Sequence, residues 1–202
     1  MDYVETWTLF LRRVILDPDL HVKWLNTLSF LENCGAKRIA RCEHKTLVKE
    51  EMLKHAAEEF RHAHDLKKQL TKITQSPPET YALPTLLGGM KTLHYLEYLD
   101  LSVCRLLHAR SLPISLSYLL TTYAIEMRAQ ALYPLYHQLL KEMGSKISVR
   151  SILLEEEEHL AEMRRELSQV PCHSELEKIV CTIESDYCAK WLDALLKIDF
   201  TQ

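Results

Sequence analysis

Two Glu-x-x-His pairs, Glu59/His62 and Glu156/His159, are the residues of this chain whose types and spacing suit chemistry. In a helix, an i, i+3 spacing puts both side chains on one face, about one turn apart. A carboxylate beside an imidazole offers oxygen and nitrogen donors, a combination suited to iron or manganese. Each pair also has a glutamate upstream: Glu32 precedes Glu59 by 27 residues, and Glu126 precedes Glu156 by 30. Each interval is the length of one helix hairpin. Two such hairpins bring four carboxylates and two imidazoles to the centre of a bundle, the donor set of a carboxylate-bridged dinuclear site. With twenty Glu and ten His in 202 residues, about one Glu-x-x-His arises by chance, so the pairs need support from the faces they occupy.

The elements that must carry these residues are legible as helical periodicity. Around the first pair the apolar positions are Val48, Met52, Ala56, Ala63, Leu66, Leu70 and Ile73, and Glu59 and His62 lie inside that stripe. A carboxylate in a core is costly unless paired or metal-bound, so the stripe calls for a cation. Glu32 lies in the stripe of an earlier helix, from about Pro18 to Cys42, which Asp17 caps ahead of a proline at the first helical position. Glu126 lies in a long helix that restarts at Ser111 and Pro113 and ends near Met143, with Tyr123 and Gln130 flanking it, Tyr123 reading as a packed core residue ahead of a redox or proton-donating one, and a kink expected at Pro134. Ser148 is the expected N-cap of the next helix. Its inner face runs through Val149, Ile152, Leu153, Leu160, Met163 and Leu167, so that of Glu155 to Glu158 only Glu156 points inward and the others form a solvated face.

Further helices are expected from Tyr3 to Ile15, from Met90 to Ala109 and from Ser174 to Ile198. Between Gln75 and Gly89, three prolines and the Gly88-Gly89 pair mark a segment too long for a tight hairpin, which reads as part of a crossover. A chain turn is expected near His44 to Thr46. The fold class is therefore all-α: a four-helix bundle with additional N-terminal, crossover and C-terminal helices, forming a single domain over residues 1–202. Hydrophobic residues make up 47% and only four residues are Gly, in keeping with long helices and a sizeable core.

The net charge of −3 gives no reason to expect nucleic acid, and no terminal signal or membrane-length apolar run is visible. A soluble cytoplasmic protein is expected. Six cysteines without a C-x-x-C pair exclude zinc ribbons and rubredoxin-like iron sites, leaving reduced thiols.

Glu32, Glu59/His62, Glu126 and Glu156/His159 together resemble the ligand pattern of the ferritin-like di-iron carboxylate superfamily, over about Pro18 to Ser168. The hairpin spacings are similar to those of the cyanobacterial aldehyde-deformylating oxygenases, and Ile125-Glu126-x-Arg128 resembles a segment of the tRNA-modifying di-iron hydroxylases. His55, one turn before Glu59, makes a His-x-x-x-Glu-x-x-His run that resembles the extra-histidine helix of the arylamine-oxygenating di-iron enzymes. It is either an additional ligand, a hydrogen-bonding neighbour of one, or a partly exposed residue. Its counterpart in the other half is Ile152, so a ligating His55 makes the two metals unequal.

The resemblance implies an O2-activating oxidase or oxygenase holding two Fe ions, or Mn or mixed Fe/Mn. Its partners would be O2 or peroxide, a small organic substrate and an external electron donor, and the protein could form a homodimer. Two other classes compete: ferritin- or rubrerythrin-like iron storage or peroxide detoxification, and a metal-free helical interaction module. Gly35 and Ala36, about one turn from Glu32, leave room either for substrate or for close helix packing.

Overall fold

The computed structural model describes residues 3–43 and 45–197. Seven α-helices account for most of them: α1 (Tyr3–Leu16), α2 (Pro18–Cys42), α3 (Glu50–Gln69), α4 (Gly89–Ala109), α5 (Leu116–Glu142), α6 (Arg150–Leu167) and α7 (His173–Leu196). There is no strand among the described residues, and the class is all-α. The expected turn near His44 to Thr46 falls where the chain bends at Glu43, Lys45 and Thr46, while His44 itself and the terminal apolar position Ile198 lie outside the described residues.

Local chemistry explains most of the boundaries. The Asp17 carboxylate accepts the backbone N–H groups of Asp19 and Leu20 at 3.0 and 3.1 Å, with Pro18 in the first turn, as the sequence indicates. Gly144 stops α5 with φ +64. Other expectations shift. Helix α3 starts at Glu50, leaving Val48 outside it and 60% exposed, and α5 starts at Leu116 because the chain turns through Ser111 at φ 54. Val149, without a side-chain cap, occupies the N-cap of α6 in place of Ser148, whose hydroxyl is only 3.4 Å from the Arg150 N–H. Pro134 sits inside α5, which continues through it to Glu142.

Helices α2 and α3 pack as one hairpin and α5 and α6 as another, with α4 crossing between them and α7 packed on α4 and α5. The crossover is held by buried Asn26, whose amide donates to the Thr80 and Thr85 carbonyls at 3.1 and 3.0 Å while its oxygen accepts Lys67 Nζ at 2.5 Å. Gly88 adopts φ +76, and a Cβ there would lie 2.6 Å from Thr92 Oγ1 and 2.9 Å from Trp191 Nε1, so only glycine lets this turn close onto α7.

The apolar core is in two parts. One joins α1, the start of α2, the end of α3 and the second half of α5 around Trp7, Trp24, Trp191 and Tyr136; the other joins α4, α5, α6 and α7 around Leu99, Leu120, Met163 and Val180. Between them, along α5 and α6, lie Glu126 and the Glu156/His159 pair. Trp24 and Trp191 stack with centroids 5.9 Å apart, and Trp7 closes against both. Trp24 is fully buried. Trp24→Ala should therefore cost about 3–5 kcal/mol, read as a lowered denaturant midpoint in chemical unfolding. A loss under about 1 kcal/mol would show that the aromatic cluster does not hold α1 and α7 to α2.

Candidate metal centre

Four helices deliver one layer of polar side chains. Glu32 comes from α2, His55, Glu59 and His62 from α3, Glu126 from α5, and Glu156 and His159 from α6. All are buried except Glu32, which is nearly so, with a side chain 12% exposed. All six residues expected from the sequence, and His55 as well, fall into two groups whose ligand atoms lie within 4.8 Å of one another: Glu32, Glu59, His62 and Glu156 in one, His55, Glu59, Glu126 and His159 in the other.

Glu59 and Glu156 face both halves. Glu59 sends Oε1 to His55 Nε2 and His159 Nδ1 at 3.3 and 3.6 Å, and Oε2 to His62 Nδ1 at 3.9 Å. Glu156 sends Oε1 to His62 Nδ1 at 3.3 Å and Oε2 to His159 Nδ1 at 3.8 Å. Glu32 approaches His62 alone, at 3.9 Å, whereas Glu126 serves the other half, with Oε1 3.1 Å from His55 Nε2 and 4.0 Å from His159 Nδ1. Two carboxylates are thus placed to bridge and two to cap the ends.

The imidazoles are oriented from outside the layer. His62 Nε2 meets Glu155 at 2.8 Å, and His159 Nε2 meets Glu58 at 2.9 Å. Each outer glutamate is the residue immediately before the inner glutamate of the opposite pair, so the two helices orient each other's histidines. Arg61 fixes Glu155 with two hydrogen bonds, at 2.9 and 2.6 Å. The expected solvated face is corrected here: Glu157 and Glu158 are exposed, but Glu155 turns to His62. With their outer nitrogens engaged, His62 Nδ1 and His159 Nδ1 point into the cluster, where they and Glu126 Oε2 are buried without a hydrogen-bond partner. Unpartnered buried polar atoms are rare in native proteins, and these three converge where a cation would satisfy them. Ligand orientation by an outer carboxylate typically accounts for about 10–100-fold in metal affinity. Glu58→Ala and Glu155→Ala should each weaken iron binding by that factor, measured by competition with a chelator, and Glu158→Ala should not.

His55 is buried, not partly exposed. Its ring lies 4.0 Å from that of His159, and its Nδ1 is 3.3 Å from the Tyr118 hydroxyl. The counterpart Ile152 is an apolar core residue, so one half has two imidazoles and the other has one.

Without a cation the layer holds protons instead. Burial, reinforced by neighbouring carboxylates, raises Glu32 and Glu126 well above the usual range and Glu59 to about 7. Glu156 is held low against burial, because Glu126, His159 and His62 face it at close range. Burial also opposes charge on His62 and His159, but the carboxylates around them outweigh it and push them up to about 10 and 9. His55 moves the other way, to about 3, through burial and then its neighbour His159.

A cavity of about 80 Å³ opens on the carboxylates. Glu32, Glu59, Glu126 and Glu156 line it together with mostly apolar side chains of α2, α4, α5 and α7 and with Arg38 and Arg128, and none of the three histidines does. Gly35 borders it, where a Cβ would stand 3.7 Å from Glu59 Oε2, while Ala36 is packed in the interior. Tyr133 also borders it and donates its hydroxyl to Glu32. Tyr123, the tyrosine that the sequence reads as a core residue rather than a proton donor, packs in the core around α4 and α7, and Tyr133 is not singled out by the sequence. The available signal was the i+7 spacing of Tyr133 from Glu126, two turns along the same face. Arg128, two residues after Glu126, forms a two-pronged ion pair with buried Glu184 of α7 at 2.8 and 2.7 Å.

Comparison with protein-family models, curated proteins and solved structures returns no match.

Proposed function

We propose that this protein is a ferritin-like di-iron oxidase or oxygenase acting on a small organic substrate, with Glu32, Glu59, His62, Glu126, Glu156 and His159 holding the two metals. The observation that carries the reading is the pair of inward, unpartnered Nδ1 atoms, facing two spanning carboxylates. The donor set fits iron, and manganese equally by ligand type. Two iron ions, when bound, supply the redox chemistry toward O2 that side chains lack. Glu59 and Glu156 would serve both positions, Glu32 and Glu126 one each, and His55 would offer an additional nitrogen beside Glu126.

The residues around this layer perform the remaining tasks. None of the three histidines lines the cavity, so the side where a substrate would approach is formed by the four carboxylates and a mostly apolar wall, with Arg38 and Arg128 at its border. That apolar wall excludes bulk water and favours a neutral aliphatic group. Tyr133, hydrogen-bonded to Glu32, holds a proton at the cavity edge. Among the described residues no helix is long and apolar enough to cross a membrane.

The test is iron reconstitution under anaerobic conditions followed by O2. Two irons per chain and O2 uptake near stoichiometric with the di-ferrous sites, then cessation until reductant and substrate are supplied, are expected. Continued retention of many irons per chain in a soluble assembly would make storage the better account, and no bound iron or manganese would leave the interaction module.

A further inference from the structure

A file of oxidisable rings runs from the surface to the wall of the carboxylate cavity. Tyr3 of α1 is 37% exposed, and Trp7, Trp191 and Tyr95 behind it are buried. Ring centroids stand 6.3 Å apart from Tyr3 to Trp7, 5.6 Å from Trp7 to Trp191 and 5.4 Å from Trp191 to Tyr95. Each step lies within the range of aromatic contact. Trp191 and Tyr95 border the cavity that Glu32, Glu59, Glu126 and Glu156 line. A branch through Trp24, 6.2 Å from Trp7 and 5.9 Å from Trp191, runs beside the direct step. Phe10, the ring of this cluster that resists oxidation, packs on Trp7 and Trp24 and lies on no step of the file.

The inner end has what oxidation of a phenol requires. Loss of an electron makes a phenol strongly acidic, so its proton must have an acceptor at hand. Buried Tyr95 donates its hydroxyl to Glu184, which Arg128 holds at 2.8 and 2.7 Å. Burial, and then Glu184, raise Tyr95 well above its ordinary value, so the ring rests as a neutral phenol. Neither tryptophan of the file has a carboxylate or imidazole at its N–H among the described residues; Trp191 donates to the Thr92 hydroxyl at 2.8 Å. Both can therefore pass an electron without passing a proton. At the outer end the Tyr3 hydroxyl meets Cys188 Sγ at 2.8 Å. The packed seam between α4 and α7 is closed to a ligand, but an electron needs only rings in contact.

We propose that Tyr3, Trp7, Trp191 and Tyr95 form a route for single electrons between the surface at α1 and the carboxylate cavity. This rests on the oxygenase reading for the electron acceptor at the cavity, but not for conduction itself. An electron leaving Tyr95 sends the phenolic proton to Glu184, and that proton returns when Trp191 reduces the ring. The vacancy then moves to Trp7 and on to Tyr3, which releases its hydroxyl proton to water. An external thiol reductant restores Tyr3 by giving it one electron and one proton. Two such turns deliver two electrons to the cavity, convert two thiols to one disulfide and leave two protons in water.

The experiment oxidises the surface of the metal-free full chain with ruthenium tris(bipyridine) and persulfate under a light flash, and reads the trapped radical by electron paramagnetic resonance. Tyr95 is buried away from the oxidant, so a tyrosyl signal that disappears in Tyr95→Phe is expected only if the rings conduct inward. Trp7→Phe and Trp191→Phe each keep a ring in place but remove an oxidisable one, and each should lower that signal at least tenfold. Trp24→Phe should change it less than twofold, because Trp7 contacts Trp191 directly. Thermal unfolding shows which variants fold, and either of the first two suffices. Radicals on other tyrosines with none at Tyr95 in the wild type, or a Tyr95 signal that survives in folded Trp7→Phe or Trp191→Phe, would overturn the proposal. Iron content and O2 uptake are read on the same preparation after reconstitution. A Tyr95 radical in protein that binds no iron would keep the electron route and refute the oxygenase, whereas iron with O2 uptake but no Tyr95 radical would do the reverse.

Discussion

Glu59→Ala should lower bound iron from two per chain to less than one and reduce O2 consumption by at least 100-fold. Glu59 is the residue common to both ligand groups, with one oxygen toward each half. Its removal takes a donor from each half at once, whereas loss of Glu32 or Glu126 would weaken one end. Glu156→Ala should behave in the same way, since its two oxygens also divide between His62 and His159. The informative companion measurement is the stability of the metal-free variant. If Glu59 were only a structural residue, its replacement would destabilise the fold. As a carboxylate crowded among others in the interior, it opposes folding when no cation is present. Metal-free Glu59→Ala should consequently melt no lower than the metal-free wild type, while losing the rise in melting temperature that iron produces. Replacing Glu97, an exposed residue paired with His94, should alter neither quantity.

The stability of the metal-free protein should fall as pH rises from about 6 to 10, and metal binding should show the opposite trend. Glu59 is raised to about 7, and His62 and His159 to about 10 and 9. A group whose pKa is higher in the folded than in the unfolded state contributes stability that is complete below the unfolded value and disappears as pH passes the folded one. For Glu59 that interval runs from its ordinary value near 4.5 to about 7, and for the two histidines from 6.5 to about 10 and 9. All three act in one direction. Metal ions must displace those same protons, so iron affinity should increase over the interval and binding should release protons. Bound metal adds stability by mass action, about 2.7 kcal/mol at 100 times Kd. The melting temperature of iron-loaded protein should therefore decline less with pH than that of the metal-free form. Thermal unfolding across pH 6–10 with and without iron checks this, with proton release followed in weakly buffered solution. A metal-free protein whose stability rises across that range would mean that the cluster does not hold the protons assigned to it.

The helices and the inward glutamates could be read from the chain because they depend on local geometry. An i, i+3 spacing places Glu59 with His62, and Glu156 with His159, on one face whatever surrounds them, and Asp17-Pro18 starts a helix by chemistry contained within four residues. Val48 misled because apolar character marks a stripe but does not say where the helix begins; it precedes the first turn of α3 and stays exposed.

Glu58, Glu155 and Tyr133 were harder to find for a different reason. The sequence determines that Glu155 lies one position, about 100° of rotation, from Glu156. Whether that direction leads to water or to His62 depends on where α3 stands beside α6, and only packing sets this. The same holds for Tyr133, which reaches Glu32 because α2 and α5 are neighbours, though 101 residues separate the pair. The sequence by itself determined an all-helical chain with two Glu-x-x-His pairs and an upstream glutamate for each. Tertiary structure alone decided which carboxylates span both halves, which histidine half contains His55, and that the cavity opens on the carboxylate side. These follow from the rotation and axial offset of each helix against its neighbours, fixed by cores built from side chains distant in the chain, which no periodicity within one helix encodes.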